Sequence, residues 1–180
     1  MRIIAGKMKG RDLLGPSDFR VHPTAEHVRA ALLDLLAGDL ADARVIDLFA
    51  GTGALGLEAL SRGAKSCDFV ETRPSSLHAL KANIATCRAR EKTRVFRKDA
   101  VQFAAALTTK NHYGLAFADP PYESRQLDRV ITSWMENKFS PVLAVEHAAI
   151  HVIPPGVYHA VLGESAITIY RQPPGPVDSE

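Results

Sequence analysis

Cysteine is scarce in this chain: Cys67 and Cys87 are the only two. Two scattered thiols build neither a disulfide framework nor a four-cysteine zinc site, so a reduced, cytoplasmic setting is expected. Long apolar runs are missing as well. No stretch approaches the roughly 18 residues of a membrane-spanning helix, and no membrane partner is expected. The basic opening MRIIAGKMKG lacks the apolar segment of about 7–15 residues that marks a secretory signal. Charge of one sign is not in excess either, the formal net value being +2. That balance alone gives no argument for nucleic acid. What the chain has is 180 residues, 46% of them hydrophobic, which suits one domain with a full core and a small appendage.

The distribution of charge says more than its sum. Residues 1–11 carry Arg2, Lys7, Lys9 and Arg11 without an acid. Residues 2–5 and 11–14 flank GKMKG and are predicted to close a short hairpin too small to add much core. Its cations then face phosphates. A second run, CRAREKTRVFRK, sets Arg88, Arg90, Lys92, Arg94, Arg97 and Lys98 against Glu91. It reads equally well as a solvated surface or as a contact.

Beyond the arm, strands and helices alternate. A helix opens after Pro23 with Thr24 as its cap, Val28, Leu32, Leu35 and Leu36 forming one face. Strands RVIDLF, CDFVE, TRVFRK, GLAFA and VLAVEH are separated by helices at 54–62, 75–89, 100–108 and 126–137. Two strand-like runs meeting near Gly163 predict a closing antiparallel hairpin. The expected fold is α/β, a mostly parallel Rossmann-like sheet with crossovers on both faces. The expected organisation is an arm at 1–22, a catalytic domain at 23–172 and a disordered tail at 173–180.

Three stretches carry chemistry. DLFAGTGALG places Gly51, Gly53 and Gly56 as G-x-G-x-x-G between a strand and a helix, where backbone can approach a ligand closely. Glu71 ends the next strand, where a carboxylate can accept the hydroxyls of a ribose. Alone, that pair fits a dinucleotide or S-adenosylmethionine. Asp47, just before the glycines, favours the second, because it suits a cationic amino group and repels a pyrophosphate. Asp99 ends the third strand, either to meet an adenine amino group or to cap the following helix.

The third stretch is FADPPY, residues 117–122. Proline supplies no amide hydrogen and ends the strand. Asp119 and the Pro120 carbonyl can grip the hydrogens of an exocyclic amine and aim its nitrogen at a methyl donor. Pro120 and Pro121 stiffen the loop, and Tyr122 offers a stacking face. As plain structure, the same residues are a strong turn.

These motifs, with MRIIAGKMKGR, VRAALLDLL and VIDLFAGTGALGLEALSRGA, make the chain resemble the RsmD family of class I S-adenosylmethionine-dependent methyltransferases. The family methylates a guanine N2 in 16S ribosomal RNA, so that RNA, or the assembling small ribosomal subunit, is the implied partner. The resemblance implies catalytic residues Asp119, Pro120, Pro121 and Tyr122. It implies a cofactor site of Asp47, Phe49, Gly51, Gly53, Leu55, Glu71, Asp99 and Ala100. It implies RNA contacts at Lys7, Lys9, Arg11, Arg20 and Thr24. Departures are His22-Pro23-Thr24 for the family's usual Arg-Pro-Thr, Glu26-His27 for Asp-Arg, and Leu33 for Phe.

Rival readings are an adenine-N6 methyltransferase, a non-catalytic RNA-binding or cofactor-sensing domain, and an NAD oxidoreductase. The last leaves Asp47 and the two prolines without a role. His22, His27, His78, His112, His147, His151 and His159 are expected to be ordinary surface or half-buried residues, and no metal is expected. Trp134 is expected in the core or a groove, and Cys87 in a buried helix position.

Overall fold

A computed structural model describes residues 1–15, 25–122 and 125–173. The chain order is α1 (Glu26–Leu35), α2 (Ala37–Leu40), β1 (Arg44–Leu48), α3 (Ala54–Ser61), β2 (Ser66–Val70), α4 (Pro74–Thr86), β3 (Thr93–Phe96), α5 (Ala100–Ala106), β4 (Leu115–Ala118), α6 (Gln126–Asn137), β5 (Val142–Ala148), β6 (Tyr158–Leu162) and β7 (Ser165–Arg171). Local chemistry sets several of these limits. Pro74 occupies the first turn of α4, where its missing N–H costs nothing. The Asp99 side chain caps α5 by accepting from the Gln102 N–H. The short helix α2 has no counterpart in the sequence reading; its four residues are too few to show a period.

One seven-stranded sheet results, in the order β3-β2-β1-β4-β5-β7-β6. The first five strands are parallel, while β7 runs antiparallel to both β5 and β6. The mostly parallel sheet with its closing hairpin is therefore present. Both faces of β1, β2, β4 and β5 are buried, with side chains alternating between them, while the edge strand β3 is partly exposed. Val45, Leu115 and Phe117 join a core with α1, α3 and α4. Ile46, Ala116 and Ala118 join the opposite core with α5 and α6. Trp134 belongs to that second core, its indole N–H donating to the Ser140 carbonyl.

The N-terminal arm closes a short hairpin, through the antiparallel Arg2–Asp12 bridge and the Ile3 N–H to Arg11 carbonyl and Leu13 N–H to Met1 carbonyl bonds, both 2.9 Å, with a short 3-10 turn at Gly6–Met8 between the limbs. It adds more to the core than expected, and the body of the protein holds it as well. Ile3 and Leu13 are 1% and 6% exposed and sit in the main core. Buried Glu58 of α3 accepts the Ile4 and Ala5 N–H groups, each at 2.8 Å. Gly6 has φ +79°, and any Cβ there would lie 2.0 Å from the Ser61 carbonyl oxygen.

Glu58 also accepts from Arg62 Nε at 3.1 Å and faces the buried Arg29 guanidinium at 3.8 Å. Losing one member of a buried pair leaves the other charge without compensation. Glu58→Ala is therefore expected to destabilise the fold by about 3–5 kcal/mol, read as a lowered midpoint in urea unfolding. An unchanged midpoint would show that the arm is not anchored by this carboxylate.

Candidate active site

Strands β1 and β4 are neighbours, but the chain leaves β1 towards β2 and leaves β4 towards β5. Such a reversal opens a crevice beyond the carboxyl ends of the strands. Asp47, Glu71, Asp99 and Asp119 lie at or just past the ends of β1, β2, β3 and β4, around that crevice.

The glycine loop turns through the left-handed region at Phe49 (φ +64°), Gly51 (+55°) and Gly53 (+79°). Phe49 holds that conformation without being glycine, a strained choice of the kind found at functional loops. Gly56 has a different task. A Cβ there would sit 2.5–3.0 Å from Phe69, Cys67 and Asp47 side-chain atoms, so glycine lets α3 lie directly against the sheet.

Asp47 shares its face of β1 with Val45, and that face lies beneath α3. Its Oδ2 accepts the Gly56 N–H at 3.0 Å and only 2% of the residue is exposed. The carboxylate thus braces the loop from below. Burial first, then nearby Glu71, raise its pKa to about 7, against the Gly56 N–H.

Glu71 is tied to backbone more fully than its sequence position suggests. Gly51 N–H donates to its Oε2 at 2.9 Å, while Thr72 and Arg73 N–H donate to its Oε1 at 2.7 and 2.8 Å. A carboxylate has about four acceptor sites, so three amides leave room for about one ligand hydroxyl. Beside it lies a cavity of about 280 Å³ that brings together Phe49, Glu71, Asp99, Ala100 and Pro121 of the expected residues. Thr72, Arg73, Lys98 and Gln126 also line it and were not anticipated. Asp99 caps α5 through its Oδ1, and the residue also walls the cavity.

Asp47, Gly51, Gly53, Leu55, Asp119, Pro120 and Tyr122 are not part of that lining. Leu55 is buried in the core, and Asp119 is half-buried directly after β4. Pro120 is buried, whereas Pro121 and Tyr122 are exposed. Tyr122 is 42% exposed, but its hydroxyl is anchored. It donates to Glu146 Oε1 at 2.9 Å and lies 2.5 Å from Ser165 Oγ. Partial burial pushes the Tyr122 pKa up, and Glu146 raises it further against the Ser165 bond. Glu146 and Ser165 had no signal in the sequence, because β5 and β7 meet them with Tyr122 only in three dimensions.

Asn83 is a second residue that sequence reasoning missed. Its side chain donates to the Thr52 carbonyl at 2.9 Å and the Leu14 carbonyl at 3.0 Å. It accepts the Leu14 N–H at 2.7 Å. One amide therefore fixes the glycine loop and the arm together. Of the expected RNA contacts, Lys7 and Lys9 are exposed, and half-buried Arg11 donates to the Thr86 carbonyl. Met8 between them binds Ser61, at the end of α3 remote from the glycine loop. Arg20 and Thr24, with His22 and Pro23, lie outside the described residues, as does most of the expected tail.

His147 is buried, sharing the Thr168 hydroxyl with His159 at 3.0 and 2.9 Å. His151 pairs with Asp128 at 3.1 Å. Among the described residues, no group of three histidine, cysteine or acidic side chains is arranged to hold a metal.

A family profile described as Conserved hypothetical protein 95 matches residues 1–153. Over 137 residues the chain is 37% identical to the Escherichia coli (strain K12) protein named ribosomal RNA small subunit methyltransferase D, covering 76% of this chain and 68% of that one. It is 35% identical over 134 residues to the Bacillus subtilis (strain 168) protein named putative rRNA methyltransferase YlbH, covering 73% and 72%. The fold superposes on the solved structure of the putative methyltransferase yhhF from Escherichia coli. That match has a TM-score of 0.80 and 31% identity, covering 96% of this chain and 97% of that one.

The Asp47 carboxyl has a direct consequence for stability. Its pKa is raised from 3.8 to about 7 on folding, so the folded state holds a proton that the unfolded state releases. Its contribution is most favourable below the unfolded pKa, falls as pH rises, and levels off once the folded pKa is passed. Asp47→Asn keeps an acceptor for the Gly56 N–H but cannot ionise. The melting temperature of the variant, relative to the parent, should therefore rise between pH 5 and pH 8. An equal difference at both pH values would refute the burial cost assigned to this group.

Proposed function

The chain belongs to the Conserved hypothetical protein 95 family, among the RsmD-like S-adenosylmethionine-dependent methyltransferases, and on that premise we propose that it methylates the exocyclic N2 of a guanine in small-subunit ribosomal RNA. The observation that carries this reading is a juxtaposition. The Asp119-Pro120-Pro121-Tyr122 loop follows β4, next to the glycine loop that follows β1, and Pro121 walls the cavity bounded by Glu71 and Asp99. The names of the relatives supply the RNA class.

The donor set fits S-adenosylmethionine. Glu71 keeps capacity for a ribose hydroxyl, Asp99 for an adenine amine, and Phe49 offers an apolar wall. The cofactor, when bound, supplies a methyl group on a sulfonium, an electrophile that needs no further activation. The remaining work falls to this chain. A guanine amine is a weak nucleophile because its lone pair is shared with the ring. Asp119 and the Pro120 carbonyl accept its two hydrogens and turn the nitrogen lone pair outward. Tyr122 stacks against the base, and Glu146 and Ser165 keep the ring oriented by holding its hydroxyl. The reaction is thus promoted by position and electrostatics. The compartment proposed is the cytoplasm, consistent with both cysteines being free and buried.

Glu71→Ala is expected to weaken cofactor binding about tenfold or more, the scale of a hydrogen bond to a charged group, measured by calorimetry. Unchanged affinity, or tight binding of NAD by the parent, would sink the cofactor assignment.

Single-turnover methyl transfer to small-subunit rRNA, or to its assembling particle, tests the chemistry. Asp119→Ala should slow the step by on the order of 10²–10³, as for loss of one preorganised electrostatic partner, with cofactor affinity kept. Tyr122→Phe keeps the stacking ring but releases it from Glu146 and Ser165, so a loss of about tenfold is expected. Full activity in Asp119→Ala would overturn the mechanism. N6-methyladenosine as the product would leave the mechanism standing and replace guanine by adenine.

A further inference from the structure

We propose that the C-terminal end of α4 and the edge strand β3 form a second RNA surface, which grips the sugar-phosphate backbone away from the target nucleotide. This rests on the RNA reading above and extends it to the basic run at 88–98.

The fold joins two basic runs that are far apart in sequence. Arg11 Nη1 donates to the Thr86 carbonyl at 3.1 Å. Lys9, two residues before Arg11, and Arg88, two residues after Thr86, therefore flank one contact. Arg88, Arg90 and Lys92 are exposed, and their side chains have no hydrogen bond or ion pair among the described residues. Arg94 is different, because its guanidinium is fixed to Asp68 at 2.8 and 2.5 Å. It is exposed, but its charge is paired within the fold. Exposed acids in this region are Glu91 and Asp12, too few to neutralise the cations.

Backbone geometry supplies an independent sign. Arg88 has φ +52°. Its N–H bonds the Ala85 carbonyl at 2.9 Å, and the Ala89 N–H bonds the Ile84 carbonyl at 3.0 Å. That pair of bonds is a Schellman turn, whose left-handed residue is most often glycine. An arginine tolerated there at the expense of stability points to a use for its side chain.

Beside it, Lys81 and Arg90 rim an open groove of about 310 Å³ lined also by Ile84, Thr93 and Val95. Cations above an apolar floor suit a phosphate followed by its sugar. From the groove β3 runs towards Arg97 and Lys98, and Lys98 lines the cofactor cavity. A strand of RNA laid along this edge is led to the reaction site. Phosphate contacts of this kind set register without reading sequence.

The test uses the full chain with small-subunit rRNA as the probe, at salt between about 50 and 200 mM. The triple variant Arg88→Ala, Arg90→Ala, Lys92→Ala should bind RNA about tenfold more weakly, with a salt slope shallower by about 2–3. Its cofactor affinity and its rate at saturating RNA should match the parent. Arg88→Gly should melt at a higher temperature than the parent yet bind RNA less tightly, a combination that a purely structural role for Arg88 does not give. If the parent methylates RNA while the triple variant keeps its RNA affinity and salt slope, the surface is overturned. If the parent neither binds nor methylates RNA, the RNA reading fails and takes this surface with it.

Discussion

The pairing of β1 with β4 is the constraint from which the site follows. Their backbones are hydrogen-bonded as parallel neighbours, but α3 carries the chain away on one face and α6 on the other. The two loops at their carboxyl ends must therefore diverge, and the space between them cannot be closed by a connection. A ligand that meets the glycine loop also meets the Asp-Pro-Pro-Tyr loop. Close approach of α3 completes this arrangement, because Gly56 leaves no side chain between helix and sheet. Any larger residue there would lift the helix and the loop that precedes it.

Much of this was legible in the sequence, for a physical reason. Strands buried on both faces read as apolar runs, and their crossovers read as amphipathic or glycine-ended helices. The parallel strands, their helices and the closing hairpin were therefore placed within a few residues. The acids at strand ends were legible because a Rossmann-like order fixes where strand ends go. The burial of the arm was not. It depends on Glu58, some fifty residues further along the chain, accepting two of the arm's backbone amides. Nothing local in RIIA announces that partner. Asn83 was invisible for the same reason, since its value lies in joining Thr52 to Leu14.

Tyr122 shows how the structure adds to what a motif suggests. From the motif alone, the residue is a stacking face and its ring matters more than its hydroxyl. In the fold the hydroxyl is held by Glu146 of β5 and Ser165 of β7. An exposed ring free to rotate would lose entropy on stacking against a base. On the proposed mechanism, anchoring its far end removes much of that loss before the base arrives, and the antiparallel hairpin takes a part in the chemistry that its position at the sheet edge did not suggest.

The carboxylates share one further property. Glu71 is held by the Gly51, Thr72 and Arg73 amides, Asp47 by Gly56 and Asp99 by Gln102. Backbone N–H groups satisfy the oxygens of these acids but bring only partial charge. The cavity lining also holds two cations, Arg73 and Lys98, and Arg73 Nε stands 3.8 Å from Glu71. Local charge therefore does not choose between a dinucleotide and S-adenosylmethionine, and neither does the glycine pattern. The choice rests on the family to which the chain belongs. What the amide-held carboxylates add is geometry: their oxygens are fixed before any ligand arrives.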